Sequence, residues 1–252
     1  MPARRGTRRA PPPGIVRGLG SPPPARFFRR PALVVAPELL GLVLWRGSPE
    51  GDVAGRIVEV EAYCGPDDLA AHSAGGRRTA RTEVMYAAGG VAYVYFVYGI
   101  HHCVNVVASV EDRPQAVLLR AVEPIAGLEL MRARRGARVP DAALARGPGN
   151  LACAFGIDRA LNGADLRSSA LRILVPRGAR AETPVAPGDV VASPRIGVDY
   201  AGEWAARPWR FSVRGNASVS RPPRTASPDL SAPAPSARSA PRSRPPGRSA
   251  PR

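Results

Sequence analysis

The stretch Val91–Asn105, "VAYVYFVYGIHHCVN", decides the fold. Two apolar runs rich in β-branched and aromatic residues flank the pair Tyr98-Gly99, and a glycine between two such runs is a turn signal. The spacing predicts a β-hairpin. In its first arm Tyr93 and Tyr95 share one face, while Val94, Phe96 and Tyr98 share the other, because side chains alternate along a strand. Aromatic residues favour strands, so the plain reading is an aromatic core. Tyr98 fits that reading badly, since little can cover a ring beside a turn glycine. A large ring at a hairpin tip suits a wedge that unstacks bases in a minor groove. Asn105, within "CVNVV", raises a related question: a buried amide must be satisfied by the protein or must read a ligand.

Upstream, "AGRIVEVEAY" alternates. Strict alternation puts Ile57, Glu59, Glu61 and Tyr63 on one face and Arg56, Val58 and Val60 on the other. A carboxylate at Glu61, between Ile57 and Tyr63, costs free energy if buried without a partner or a use. It is either a general base that activates a water, or Glu59 and Glu61 face solvent on an edge strand. Arg120, in "VLLRAVEP", can pair with Glu61 across the sheet, as a structural salt bridge or as a clamp on a water. His72, in "LAAHSAGG", is either a surface or capping histidine or a group that meets a base edge or carries a proton. His101 and His102 follow the turn, where they are solvated or meet phosphate.

The remaining segments predict a mixed fold. "PALVVAPELLGLVLW" holds a short helix over Ala36–Gly41 and then a strand, and the polar stretch after Cys64 allows at most a short helix near Asp67–His72. "QAVLLRAVEP", "LRILVPRG", "GDVVASPRIGV" and "RPWRFSVRG" read as strands. "GLELMRARRG" is helical, with Arg132, Arg134 and Arg135 on its polar side, and another helix follows Pro148. The expected class is α+β: a single mixed domain with a curved, largely antiparallel sheet and a protruding β-hairpin.

Charge is unevenly placed. The net charge is +16, yet residues 1–30 alone hold eight arginines and no acid, and residues 215–252 hold seven arginines and one aspartate. Both ends are rich in Pro, Ser and Ala, a composition that cannot bury a core. Disordered basic tails are therefore expected at 1–30 and 216–252, around a domain at 31–215. Such tails are sequence-independent contacts for nucleic-acid phosphate, or unconstrained segments filled by GC-rich codons. All 36 basic residues are arginine, so lysine Schiff-base chemistry is excluded. Cys64, Cys103 and Cys153 are unpaired in spacing, which suits reduced thiols in a cytosolic setting. With the three histidines they make no zinc pattern, and "HHC" is too contiguous for a tetrahedral site. No apolar run reaches the roughly 18 residues of a membrane span, and the basic N-terminus lacks the apolar core of a secretory signal.

Five segments, "GRIVEVEAYCGPDDLAAHS", "GGVAYVYFVYGIHHCVNVV", "AVLLRAVEPIAGLELM", "ARGPGNLACAFGID" and "PRIGVDYAGEWAARPWRFSVRG", resemble in order the alkyladenine (3-methyladenine) DNA glycosylase family. The resemblance implies a monomeric enzyme without metal or cofactor, cytoplasmic at the nucleoid, acting on double-stranded DNA that contains damaged purines. It would flip out 3-methyladenine, 7-methylguanine, hypoxanthine or ethenoadenine and hydrolyse the N-glycosidic bond. An abasic site would remain, without strand cleavage. In that scheme Glu61 activates the attacking water, and Arg120 and the backbone carbonyl of Ile196 hold it. Tyr63, His72 and Tyr95 sandwich the base, and the His72 backbone meets its edge. Asn105 obstructs the guanine amino group, and Tyr98 is the wedge. The chain departs from the family's usual "TPRN" with "TART" at Thr79–Thr82, and it lacks the frequent lysine near Asn150. The alternative is a non-catalytic binder of distorted DNA. A base deaminase is disfavoured by the lack of an HxE…CxxC zinc signature.

Overall fold

The hairpin predicted from Val91–Asn105 forms, with Tyr93 opposite Asn105 and Val97 opposite His101. Gly99 closes its turn at φ +69°, a conformation that a side chain would strain. The structure is a computed structural model that describes residues 16–97, 99–178 and 185–221. Tyr98, the expected wedge, lies outside the described residues, as do most of the two expected tails.

In chain order the main elements are α1 (Val16–Leu19), β1 (Gly20–Ser21), α2 (Ala25–Phe28), α3 (Ala32–Leu39), β2 (Val43–Ser48), β3 (Gly51–Tyr63), β4 (Ala92–Val97), β5 (His101–Ala108), β6 (Gln115–Ala126), α4 (Leu128–Arg135), α5 (Pro148–Phe155), β7 (Leu171–Pro176), β8 (Val190–Ser193) and β9 (Arg210–Val213). The sheet runs β1-β7-β2-β3-β6-β5-β4, and β9, paired with β8, joins it along β3. Every described pairing is antiparallel. Helices α3 and α5 cover one face. Val35, Ala36, Leu39, Leu151 and Phe155 share one apolar core with Leu44, Ile57, Val60, Val104 and Val106. On β5 the period of two is clean: Val104 and Val106 face that core, while Asn105 and Val107 face the other side, where Val107 packs with Met85 and Tyr93.

The alternation expected for β3 fails at one point. Ile57 pairs with Val122, but the next partners are Glu59 with Ala121 and Val60 with Leu119, so the register shifts on both strands. This bulge switches the pleat. Ile57 joins Val60 and Ala62 in the main core rather than facing the way of Glu59 and Glu61, and Val58 packs with Ala121 and Val219. Nor is β3 an edge. It pairs with β6 on one side, and on the other with β2 over its first half and β9 over Glu59–Glu61.

One further expectation is corrected. Helix α3 starts at Ala32 rather than Ala36, because Pro31 supplies the first carbonyl to Val34 and Val35. Pro37 sits inside that helix. No α-helix forms over Asp67–His72, where the Asp68 carboxylate takes the N–H groups of Cys64 and Ala70 and so competes with helical bonding. Ordered structure is also described just before residue 31 and just after residue 215. Phe27 and Phe28 are buried in the core, and the Phe28 carbonyl lies where a Cβ on Gly89 would come within 2.2 Å. At the other end Ser218 and Val219 are buried against β3 and its neighbours.

Candidate active site

The β3 bulge sets two carboxylates side by side. Glu59 and Glu61 are completely buried. Arg120 stands at the β6 position skipped in the shifted register, and its guanidinium reaches both: Nε lies 3.1 Å from Glu59 Oε1 and Nη1 lies 3.1 Å from Glu61 Oε1. Burial alone would lower the Arg120 pKa, but Glu61 and Glu59 together outweigh it and hold the guanidinium above its ordinary value. Glu61 Oε1 also accepts from the Ile196 N–H at 2.8 Å, and Oε2 accepts from the Tyr63 hydroxyl at 2.9 Å. Burial, then the charge of Glu61, raises the Tyr63 phenol well above its usual range, so it remains a donor.

Beside this floor lies a cavity of about 320 Å³. Tyr63, Arg120 and Ile196 line it, with His72, Tyr95, Asn105 and Leu118, so Glu61 stands one layer behind its three partners rather than in the wall itself. A cavity of this size with aromatic walls and few polar groups has the character of a small-molecule or base pocket. The Tyr95 ring meets His72 edge-on at 4.6 Å and Tyr93 at 5.3 Å, and the Arg81 guanidinium lies over Tyr95 at 5.2 Å. His72 Nδ1 is 2.9 Å from the Tyr93 hydroxyl. Burial, then the charges of Arg81 and Arg77, lowers the His72 pKa to about 4, so its ring is neutral near pH 7. Asn105 is buried and donates from Nδ2 to the Tyr93 carbonyl at 3.1 Å.

The loop that carries His72 is anchored by a second buried pair. Arg195 grips Asp68 through both terminal nitrogens, at 2.6 and 2.8 Å, and donates to the carbonyls of Ala62 and Trp204. It also stacks on Tyr63 and Trp209 at 4.8 and 5.0 Å. Its neighbour Ile196 is thereby fixed where its N–H meets Glu61.

Of the residues singled out in the sequence, Glu61, Arg120, Ile196, Tyr63, His72, Tyr95 and Asn105 converge on this one place. Ile196 makes its contact through the N–H. His101 is exposed, while His102 packs against Phe96 at 4.9 Å, away from the cavity lining. Sequence reasoning passed over Tyr93, which holds His72, and also Glu59, Asp68, Arg195 and Arg210 as partners. Tyr93 carried a signal, its shared face with Tyr95. The ion-pair partners carried none, because their mates lie far away in the chain.

A sequence model described as methylpurine-DNA glycosylase matches residues 26–217. A protein of Natranaerobius thermophilus is 43% identical over 195 residues, covering 77% of this chain and 96% of its own. One of Methanocella arvoryzae is 47% identical over 198 residues, covering 79% and 95%. One of Myxococcus xanthus is 48% identical over 200 residues, covering 79% and 94%. All three carry, provisionally, the name 3-methyladenine DNA glycosylase.

Proposed function

The chain belongs to the methylpurine-DNA glycosylase family, and on that premise we propose that it is a DNA-repair hydrolase of N-glycosyl bonds. Its partner is double-stranded DNA with damaged purines, met at the nucleoid, and the substrates are 3-methyladenine, 7-methylguanine, hypoxanthine and ethenoadenine. One catalytic domain carries the reaction, and the basic segments on either side of it contact phosphate.

The observation that carries this reading is the hydrogen-bond count at Glu61. Its carboxylate has about four acceptor positions. The Ile196 N–H donates to Oε1, which also faces Arg120 Nη1 in an ion pair, and Tyr63 alone donates to Oε2. One position on Oε2 therefore has no partner among the described contacts, and a water bound there faces a fixed base. A purine flipped into the cavity stacks on Tyr95 and Tyr63 beside His72, with the water on the Oε2 position that Tyr63 leaves open. Glu61 then takes the water's proton as oxygen attacks the sugar carbon and the base departs with the bonding electrons. The same negative charge, preorganised in a dry site, stabilises the oxocarbenium character of the sugar. Alkylated purines are already cationic leaving groups, so they need little more. Flipping costs a few kcal/mol, and stacking returns about 1–3 kcal/mol per aromatic contact. Asn105, held by the Tyr93 carbonyl, stands against a guanine amino group. Tyr98, which precedes Gly99 in the sequence, fills the gap in the duplex.

The test is single-turnover release of free base from a duplex with one hypoxanthine or ethenoadenine. Wild type releases it, and Glu61→Gln slows release by at least about a hundredfold while still binding, the size expected of a lost general base. If neither protein releases base but both bind lesion DNA equally, the chain is a binder of distorted DNA. Borohydride must trap no covalent adduct, and Tyr98→Ala must weaken lesion affinity.

A further inference from the structure

Glu59 touches neither the cavity nor, in the scheme above, the substrate, yet it is the most heavily bonded carboxylate beneath the site. Its Oε1 accepts from Arg120 Nε at 3.1 Å, Arg210 Nη1 at 3.0 Å and the Ser220 hydroxyl at 2.9 Å, and its Oε2 accepts from the Ser220 N–H at 2.7 Å. Two guanidiniums and two carboxylates thus share one fully desolvated space. Remove Glu59, and Arg120 is left with Glu61 as its ion-pair partner. Arg120 loses the acceptor that fixes its rotation, and Arg210 loses its ion-pair partner.

We propose that Glu59 is a positioning residue for base excision: it holds Arg120 by Nε so that Nη1 alone faces Glu61, and it absorbs the charge of Arg210. The docked segment Ser218–Arg221 belongs to the same device. Ser220 gives Glu59 two hydrogen bonds and lies 3.4 Å from Arg120 Nη2, and the Arg221 carbonyl takes a second bond from Arg210 Nη1. The residues just after β9 therefore help to set the geometry of a carboxylate on the far side of Arg120. With Glu59 in place, Glu61 keeps Oε2 for Tyr63 and the water of the proposed reaction. Without it, Arg120 is free to close on Glu61 through two nitrogens and occupy that oxygen.

This inference rests on the glycosylase reading, and one experiment separates the two. The full chain and its Glu59→Gln variant are compared for single-turnover excision and for affinity toward the same lesion duplex. If wild type releases no base, the glycosylase reading fails. If wild type releases base, Glu59→Gln is expected to be at least about tenfold slower at unchanged lesion affinity, a purely rate-side loss equal to one decade in the barrier. Equal rates, or a rate loss matched by the loss of folded protein, overturn the role of Glu59. Glu59→Asp keeps the charge but withdraws the oxygens from Arg120, and Ser220→Ala removes one bond to Glu59. Both give the decision if the first variant does not fold: each is expected to slow excision by about threefold or more without altering affinity, and wild-type rates in both sink the proposal.

Discussion

Asp68 and Glu61 are both fully buried carboxylates paired with an arginine, but they are saturated to different degrees. Asp68 lies on the loop that follows β3. It accepts four bonds, two from Arg195 and one each from the N–H groups of Cys64 and Ala70. Glu61 lies on the central strand and has three contacts. A saturated buried carboxylate can only hold structure. On the proposed function, the Glu61 oxygen that the protein holds with a single donor is the one that meets the water. Position alone does not set the role, since Glu59 shares the strand of Glu61 and yet accepts four bonds; the count of partners separates them.

Breaking the saturated pair should give the largest effect on the fold. Asp68→Ala strands Arg195 in the interior and is expected to cost about 3–5 kcal/mol, read by urea unfolding. Glu61→Gln, which keeps the shape of the side chain, should cost far less in the same titration. If the two losses are equal, the distinction between a structural and a working carboxylate fails. Next in size is the wall. Tyr95→Ala should weaken affinity for lesion DNA by about 1–3 kcal/mol, the value of one stacked base, with little change for undamaged duplex; equal loss on both duplexes would remove Tyr95 from the pocket's role. His72 gives a smaller, pH-dependent effect. In the fold its ring takes a proton only near pH 4, against an ordinary value of 6.5. The unfolded chain binds more protons between those values, so the His72 contribution is complete above pH 6.5 and is lost as pH falls toward 4. His72→Gln should flatten melting temperature against pH in that window, and an unchanged slope would show that the ring is not desolvated. Smallest is Arg77→Gln, at an exposed position outside both buried pairs. It should leave melting unchanged and reduce the salt slope of DNA binding by about 0.9, one phosphate contact. No change in slope would place Arg77 off the DNA surface.

Much of this was readable in the sequence. The hairpin was, because a turn glycine between apolar runs is a local signal. Glu61 and Arg120 were suspect because each broke an apolar strand. What stayed hidden was non-local. A bulge opposite Arg120 has no residue signature, so counting by twos put Ile57 on the face of the carboxylates and left an exposed edge as an option. Composition marked residues up to 30 as tail, yet Phe27 and Phe28 are core, because two aromatic rings outweigh the arginines around them once α3 and Gly89 offer a seat. Tyr93 read as ordinary core. It is buried as expected, but its hydroxyl holds His72, a partner 21 positions away.

The lacing of β3 along both edges has a consequence for motion. Amide protons at Glu59–Glu61 can escape to solvent only if β6 or β9 separates from the sheet, so these should be among the last sites to exchange with deuterium. The loop from Cys64 to Tyr86 holds only two short 3₁₀ turns between its anchors and should exchange much sooner. The molecule thus joins an almost immovable base to a wall that can breathe. On the proposed function, a flipped nucleotide is admitted by loop fluctuations without disturbing the strand that carries Glu61.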